Sequence, residues 1–172
     1  IDLAKELSTL STDLRSEIVK TMPTVKPSQE FIFGRSVIST DETKPPFTIA
    51  EIGLCHNGDV ELCKKLILES KQSGFSAAKI QSYLPGRISK KSRTARYFEE
   101  TLGQEESISD FIDKIIFNKK ELKEIFEYAN SIEYDLFSTP FDFKSADILN
   151  SFNVPGFKIS SMDLVNIPLI KK

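Results

Sequence analysis

Four short apolar runs punctuate this chain, at residues 47–53, 76–82, 134–138 and 157–161, and amphipathic stretches lie between them. Short runs of β-prone residues bounded by turn formers read as strands buried on both faces. After the first run, Asp59 is placed to cap a helix whose inner face carries Val60, Cys63, Leu66 and Ile67, with Gly74 as its stop. The segment 84–117 is too long for a simple strand-to-helix connection, and its 109–117 part predicts a short helix. Asn118 then caps a helix with Leu122, Ile125, Phe126 and Ala129 at clean helical spacing. Asp142 caps a shorter helix carrying Ala146, Leu149 and Phe152, and a last helix begins near Pro168.

Upstream of this alternation, Leu3, Leu7, Leu10, Leu14 and Ile18 predict an amphipathic helix over residues 2–20, ended by Pro23 and Pro27. Residues 29–40 read as a hairpin or extended piece, and 41–46 as a polar linker. The expected organisation is therefore an N-terminal helix and extended segment over 1–45, followed by strand–helix units over 46–172. Strands alternating with helices imply a parallel sheet with helices outside it. The predicted fold class is α/β, of the β/α (TIM) barrel type. About the first four units are present, because a complete barrel takes about 250 residues. A self-contained four-stranded α/β sandwich competes with it. The chain opens on Ile1 rather than Met and stops at Lys172 as a helix gets under way, which reads as a fragment of a longer barrel.

Composition narrows the function classes. The chain has 172 residues and a formal net charge of -2, with no clustered basic face of the kind that nucleic-acid binders show. No apolar stretch approaches the roughly 18 residues of a membrane span, and no secretory leader pattern opens the chain. Nucleic acid and membrane are thus not expected partners. Cys55 and Cys63 are too few for a disulfide framework and read as free thiols in a reducing cytoplasm, with a redox pair as the minor alternative.

Each apolar run carries a polar or charged residue near its C-terminal end: Glu51, then Lys79 and Gln81, then Ser138 and Thr139, then Lys158, Ser160 and Ser161. Barrel enzymes build their sites from the C-terminal ends of several strands. Lys79 and Gln81 are two apart, as are Lys158 and Ser160, so each pair shares a face. An ammonium on an interior face is costly unless it meets an anion. Two such lysines with serines and threonine in register suit a phosphate or carboxylate ligand, and Glu51 suits a general base or a hydroxyl-orienting acid. A buried Glu51–Lys79 ion pair with a purely structural role stays open beside that reading. His56 and Asn57 lie in the loop after the first run. One histidine does not make a metal site; its ring reads more simply as a tie within a turn that Gly58 frees, with a chemical role as the alternative, and Asn57 carries the same two readings, the second as a substrate contact. The basic stretch 90–96 reads as a solvated loop, with a lid over an anionic substrate as the alternative.

Four motifs stand in order: Ile-Ala-Glu-Ile-Gly-Leu-Cys-His-Asn-Gly at 49–58, Lys-Ile-Gln at 79–81, Phe-Ser-Thr-Pro-Phe-Asp at 137–142, and Val-Pro-Gly-Phe-Lys-Ile-Ser-Ser at 154–161. Together they resemble the N-acetylneuraminate (sialic acid) synthase family, over roughly residues 45–172. The resemblance implies the first half of a β/α barrel and a condensation of phosphoenolpyruvate with N-acetylmannosamine or a related N-acetylated hexose, with release of phosphate. It implies Lys79 and Lys158 as cationic contacts to phosphoenolpyruvate and Thr139 and Ser161 as phosphate ligands. Gln81 is similar to a substrate-orienting amide, and Glu51 to the acid beside the sugar. The same resemblance implies a divalent metal, manganese or magnesium, whose ligands come from the other half of the barrel, and a homodimer. This half alone is then not expected to catalyse. Met162-Asp163 stands where the family commonly has Gly-Glu, so Asp163 keeps the carboxylate with a shorter reach, and Cys55 stands where Asn is usual. Another anion-binding barrel enzyme, such as an aldolase or a 3-deoxy-sugar-acid synthase, and a non-catalytic half-barrel module are the alternatives.

Overall fold

The computed structural model describes residues 30–41, 43–84 and 108–172. The helix expected over 2–20 and the basic stretch 90–96 lie outside them. The first described element is a hairpin of β1 (Glu30–Phe33) and β2 (Ser36–Ser39), antiparallel, with Phe33 opposite Ser36. Its tight turn is Gly34-Arg35, and Gly34 takes a φ of 58°, a conformation that glycine adopts without steric cost.

The alternating part follows as β3 (Ile49–Gly53), α1 (Val60–Gln72), β4 (Ala77–Ser82), α2 (Ile108–Ile115), α3 (Lys119–Ser131), β5 (Asp135–Pro140) and α4 (Phe143–Asn150). A single 3-10 turn (Ser161–Asp163) and α5 (Ile167–Lys171) complete it. β3, β4 and β5 form one parallel sheet in that order, with Glu51 beside Lys79, Lys79 beside Phe137, and Gln81 beside Thr139. The helices start where the caps direct. Asp59 accepts from the backbone N–H of Glu61 and Leu62, Asp142 from that of Ser145, and Asn118 and Glu121 close a reciprocal capping box. The helix expected over 109–117 appears as α2, one turn before Asn118.

One face of the sheet meets the helices. Ile52, Ala78, Ile80 and Leu136 pack with Cys63 and Ile67 of α1, Leu122, Ile125, Phe126 and Ala129 of α3, and Leu149 of α4. Each large side chain buried there contributes about 1.5–3 kcal/mol. Lys64 also ties α1 to α3 through Glu124 at 2.6 Å. On the opposite face the hairpin lies against the N-terminal ends of the strands. Phe33 makes edge contacts with Phe47 (5.5 Å) and Phe137 (5.1 Å). The buried Asp135 carboxylate accepts from the backbone N–H of Arg35 (2.7 Å) and from its guanidinium (3.0 Å), which also donates to Asn130. A Cβ on Gly34 would fall 2.4 Å from that carboxylate, so the approach itself demands glycine.

The fourth expected strand, 157–161, does not form a ladder. It makes one isolated parallel bridge, Phe157 to Ser138, with the Lys158 N–H donating to the Ser138 carbonyl at 3.1 Å. Pro155 lacks an N–H just upstream, and just downstream Ser160 is taken up as the cap of the 3-10 turn, accepting from the Met162 N–H. The segment is thus held to the sheet at one point and turns away.

Candidate active site

Strand alternation decides which polar residues meet. Glu51, Lys79, Gln81 and Thr139 lie on the face away from the helices, near the C-terminal strand ends. Lys79 is buried, and its Nζ reaches Glu51 Oε1 at 3.0 Å, Thr139 Oγ1 at 2.9 Å and the Ile80 carbonyl at 3.4 Å. The ion pair left open by the sequence therefore forms. It is one-sided: the Lys79 side chain is 7% exposed and that of Glu51 is 55% exposed. A buried ammonium needs such partners to offset its desolvation. A ligand anion would reach Nζ by sharing or replacing them.

The β3 end is irregular. The register with β4 shifts between Glu51 and Gly53, and Gly53 takes a φ of 56°. A Cβ on Gly53 would lie 3.2 Å from Glu51 Oε1 and 3.6 Å from Gln81 Nε2, so the bare glycine keeps open the space that both side chains face. Gln81 is oriented from its other end, where its Oε1 accepts from the Tyr83 hydroxyl at 2.9 Å. The Tyr83 ring stacks on Phe141 (4.1 Å, 7°) and packs with Ile112 and Ile115 of α2. Burial, and then the charge of Asp163, push the Tyr83 hydroxyl up to about 12. That places the Asp163 carboxylate within electrostatic reach of this end of the site. Its Oδ1 accepts from the Asn166 amide at 3.0 Å.

Other expected residues fall elsewhere. Ser138 is a correction: it follows Phe137 and precedes Thr139, so alternation sends it to the helix side. There it is fully buried, bonded to Ser82 Oγ (2.7 Å) and the Ile80 carbonyl (3.1 Å). Ser160 is buried with its hydroxyl occupied by the Met162 N–H, and Ser161 is exposed in the turn. Lys158 is exposed and makes no bond to the Lys79 cluster, although its bridge sets it at the level of Thr139. Asn57 is exposed in the β3–α1 loop with a φ of 53°. His56 beside it is fully buried, stacks on Phe117 (4.1 Å) and accepts at Nδ1 from the Gly58 N–H (3.1 Å), which is the turn tie that the sequence suggested. Burial pulls its pKa down to about 4; the Gly53 carbonyl acts the other way, but no hydrogen bond of good geometry reaches Nε2. Cys55 is exposed, Cys63 buried, and both are free.

Sequence reasoning passed over Tyr83, Gly53 and the Arg35–Asp135 pair. A tyrosine two residues beyond Gln81 was the available sign for the first, since alternation keeps the two on one side. Arg35 and Asp135 are too far apart in sequence for any local pattern to join them. Among the described residues, no group of three or more His, Cys, Asp or Glu side chains converges to hold a metal ion. No helix among them is long and apolar enough to cross a membrane.

A parallel α/β sheet that gathers a lysine, a carboxylate, an amide and a threonine at its C-terminal strand ends is a site of the α/β class of proteins. Within that class the chain belongs to the NeuB family, whose pattern it matches over residues 66–172. It is 38% identical to N,N'-diacetyllegionaminic acid synthase of Campylobacter jejuni over 130 residues, covering 75% of this chain and 39% of that protein. It is 31% identical to pseudaminic acid synthase of Helicobacter pylori over 130 residues, covering 75% and 38%. The crystal structure of an N-acetylneuraminic acid (sialic acid) synthetase from Leptospira borgpetersenii in complex with citrate superposes with a TM-score of 0.63 at 30% identity, covering 84% of this chain and 45% of that one. The chain thus spans about two-fifths of the length of these curated relatives.

Proposed function

We propose that the protein condenses phosphoenolpyruvate with an N-acetylated hexose, N-acetylmannosamine or a 2,4-diacetamido relative, to give a sialic-acid-type nonulosonate. The observation that carries this is the buried Lys79 ammonium held between an exposed carboxylate and a threonine hydroxyl. The relatives, named as legionaminic and pseudaminic acid synthases, support it. In the reaction, C3 of phosphoenolpyruvate forms a bond to the aldehyde carbon of the open-chain sugar. Water adds at C2, and the tetrahedral intermediate expels inorganic phosphate by C–O cleavage, leaving a 2-keto acid. Lys79 stabilises the anionic substrate and the charge that gathers on the departing phosphate. Thr139 turns its hydroxyl from Lys79 to a phosphate oxygen. Glu51 and Gln81 hold the sugar, with Asp163 beside them, and orientation by these groups brings aldehyde and nucleophile together. Lys158, Ser160 and Ser161 approach the phosphate when the segment after Phe157 pairs fully with β5, and Asn57 contributes from the β3–α1 loop.

In this reading residues 46–172 are the first half of a β/α barrel, and the hairpin belongs to an N-terminal segment that closes its base. A divalent metal would take its ligands from residues outside this segment. The assembly is a cytoplasmic homodimer.

The test is phosphate release by the native protein given phosphoenolpyruvate, manganese and N-acetylmannosamine, with Lys79→Ala alongside. Release that requires the sugar and falls by about 10²–10³-fold in the variant supports the reading. Release only with a 2,4-diacetamido sugar moves the acceptor to that class. Silence with every sugar overturns the condensation.

A further inference from the structure

An amide side chain has two ends of nearly equal shape and opposite chemistry, so something must decide which end faces a substrate. Gln81 lies on the open face of the sheet, where its Nε2 is directed toward the space over Gly53 and its Oε1 accepts from Tyr83. Two separate features favour that orientation. The Glu51 carboxylate oxygen borders the same space, and an amide oxygen turned toward it would meet like charge, whereas the NH2 meets a complementary one. The Tyr83 hydroxyl, protonated throughout the neutral range, donates to Gln81 Oε1 from the opposite side.

Tyr83 is also rigid, unlike a solvated hydroxyl. Its ring is sandwiched by Phe141 at a near-parallel 7°, with Ile112 and Ile115 of α2 packed against the same cluster and only 8% of the residue exposed. Stacking of this kind adds to what area burial supplies, so the hydroxyl is a fixed reference for the amide.

We propose that Tyr83 is a positioning residue that locks the Gln81 amide with its NH2 toward Gly53 and Glu51. The site thereby presents a donor from Gln81 and an acceptor from Glu51 side by side, which fits one hydroxyl group of a polyhydroxylated acceptor: the hydroxyl accepts from the amide and donates to the carboxylate. A group that only accepts leaves the carboxylate unmatched and is selected against. Tyr83 acts through Gln81 and does not touch the substrate. The inference rests on the synthase reading above, in which Gln81 and Glu51 face the sugar.

The experiment is a two-by-two set in the native protein: Tyr83→Phe, Gln81→Ala and the double variant, each measured for phosphate release against sugar and phosphoenolpyruvate concentration. Tyr83→Phe keeps the ring and its stacking, so a thermal midpoint close to the wild type is expected. The expected result is a rise of about tenfold in KM for the sugar, with KM for phosphoenolpyruvate and kcat within about twofold. In the Gln81→Ala background Tyr83→Phe adds nothing, because the amide it orients is gone. An unchanged sugar KM in Tyr83→Phe overturns the proposal, and so does a rise that persists undiminished beside Gln81→Ala. If Gln81→Ala is itself silent in an active enzyme, the proposal fails and the synthase reading stands. If the wild type releases no phosphate with any N-acetylated sugar, both fail.

Discussion

The open face of the sheet carries two ion pairs, one at each end of the strands, and they are built in opposite ways. At the N-terminal end the buried member is an anion, Asp135, enclosed by a backbone N–H, a guanidinium and the bare Cα of Gly34. At the C-terminal end the buried member is a cation, Lys79, whose carboxylate partner is more than half exposed and whose second partner is a hydroxyl that can turn away. In the first pair the carboxylate is held by a backbone N–H as well as by the half-exposed Arg35 guanidinium, and the pair joins the hairpin to the sheet. The second has a solvent-facing partner, with the bare Cα of Gly53 and the Gln81 amide beside it. A closed pair fixes structure, because its desolvation is already offset by fixed donors; an open one keeps an exchangeable partner for a ligand.

The largest expected effect breaks the comparison at its open end. Lys79→Met keeps the buried stem and removes the charge; phosphate release should fall by about 10³-fold. Chemical denaturation should show stability unchanged or slightly raised, since Glu51 remains solvated and apolar replacements of buried ions are often neutral. A loss of several kcal/mol would mean that the Lys79 pair is structural like the other.

The closed end should respond in the reverse sense. Arg35→Ala leaves the Asp135 carboxylate buried with a backbone donor alone, at a cost of about 2–3 kcal/mol, discounted because Arg35 is half exposed. Activity per folded molecule should stay within about twofold of the wild type. Urea unfolding and phosphate release, measured on the same preparation, separate the two effects.

His56 offers a smaller and pH-dependent test of the loop that follows β3. Its folded pKa, held down to about 4 by burial, lies below the ordinary 6.5. Between those values the unfolded chain takes up the proton first, so stability is full above pH 6.5 and declines as the pH falls toward 4. The decline should amount to about 2 kcal/mol after allowance for screening. His56→Gln should flatten this slope in a series of urea midpoints against pH, and a slope left intact would assign it to the carboxylates instead.

The smallest effects sharpen the alternation between neighbours. Thr139→Val should lower phosphate release by about tenfold through loss of one partner of Lys79 and one donor to phosphate. Ser138→Ala, one residue away on the helix side, should cost about 1 kcal/mol of stability and leave activity alone. Equal activity losses at both positions would undo the assignment of faces.

Much of this was legible in particular residues. Asp59, Asn118 and Asp142 start their helices where a capping oxygen must be, because the first N–H groups of a helix have no other partner. The residues spaced three and four apart in α1 and α3 form the core they were expected to form. Lys79, Gln81 and Thr139 meet because a period of two along each strand and parallel register fix which side chains share a face. Ser138 went astray for the same reason, since reading Ser-Thr as one feature ignored the change of face between them.

What the sequence by itself determined was local: caps, periods, turn glycines and the order of strands and helices, all set by interactions within a few residues. Only the tertiary structure decided the rest. Whether 157–161 completes a strand depends on a neighbour for its backbone, and the polar groups around it draw it into a turn after a single bridge. Whether Lys79 is paired, whether Gln81 is turned by Tyr83, and whether Arg35 finds Asp135 100 residues away all depend on distances that form only when the chain closes on itself. Electrostatic and hydrogen-bond energies fall steeply over a few ångströms, and sequence separation carries no information at that scale.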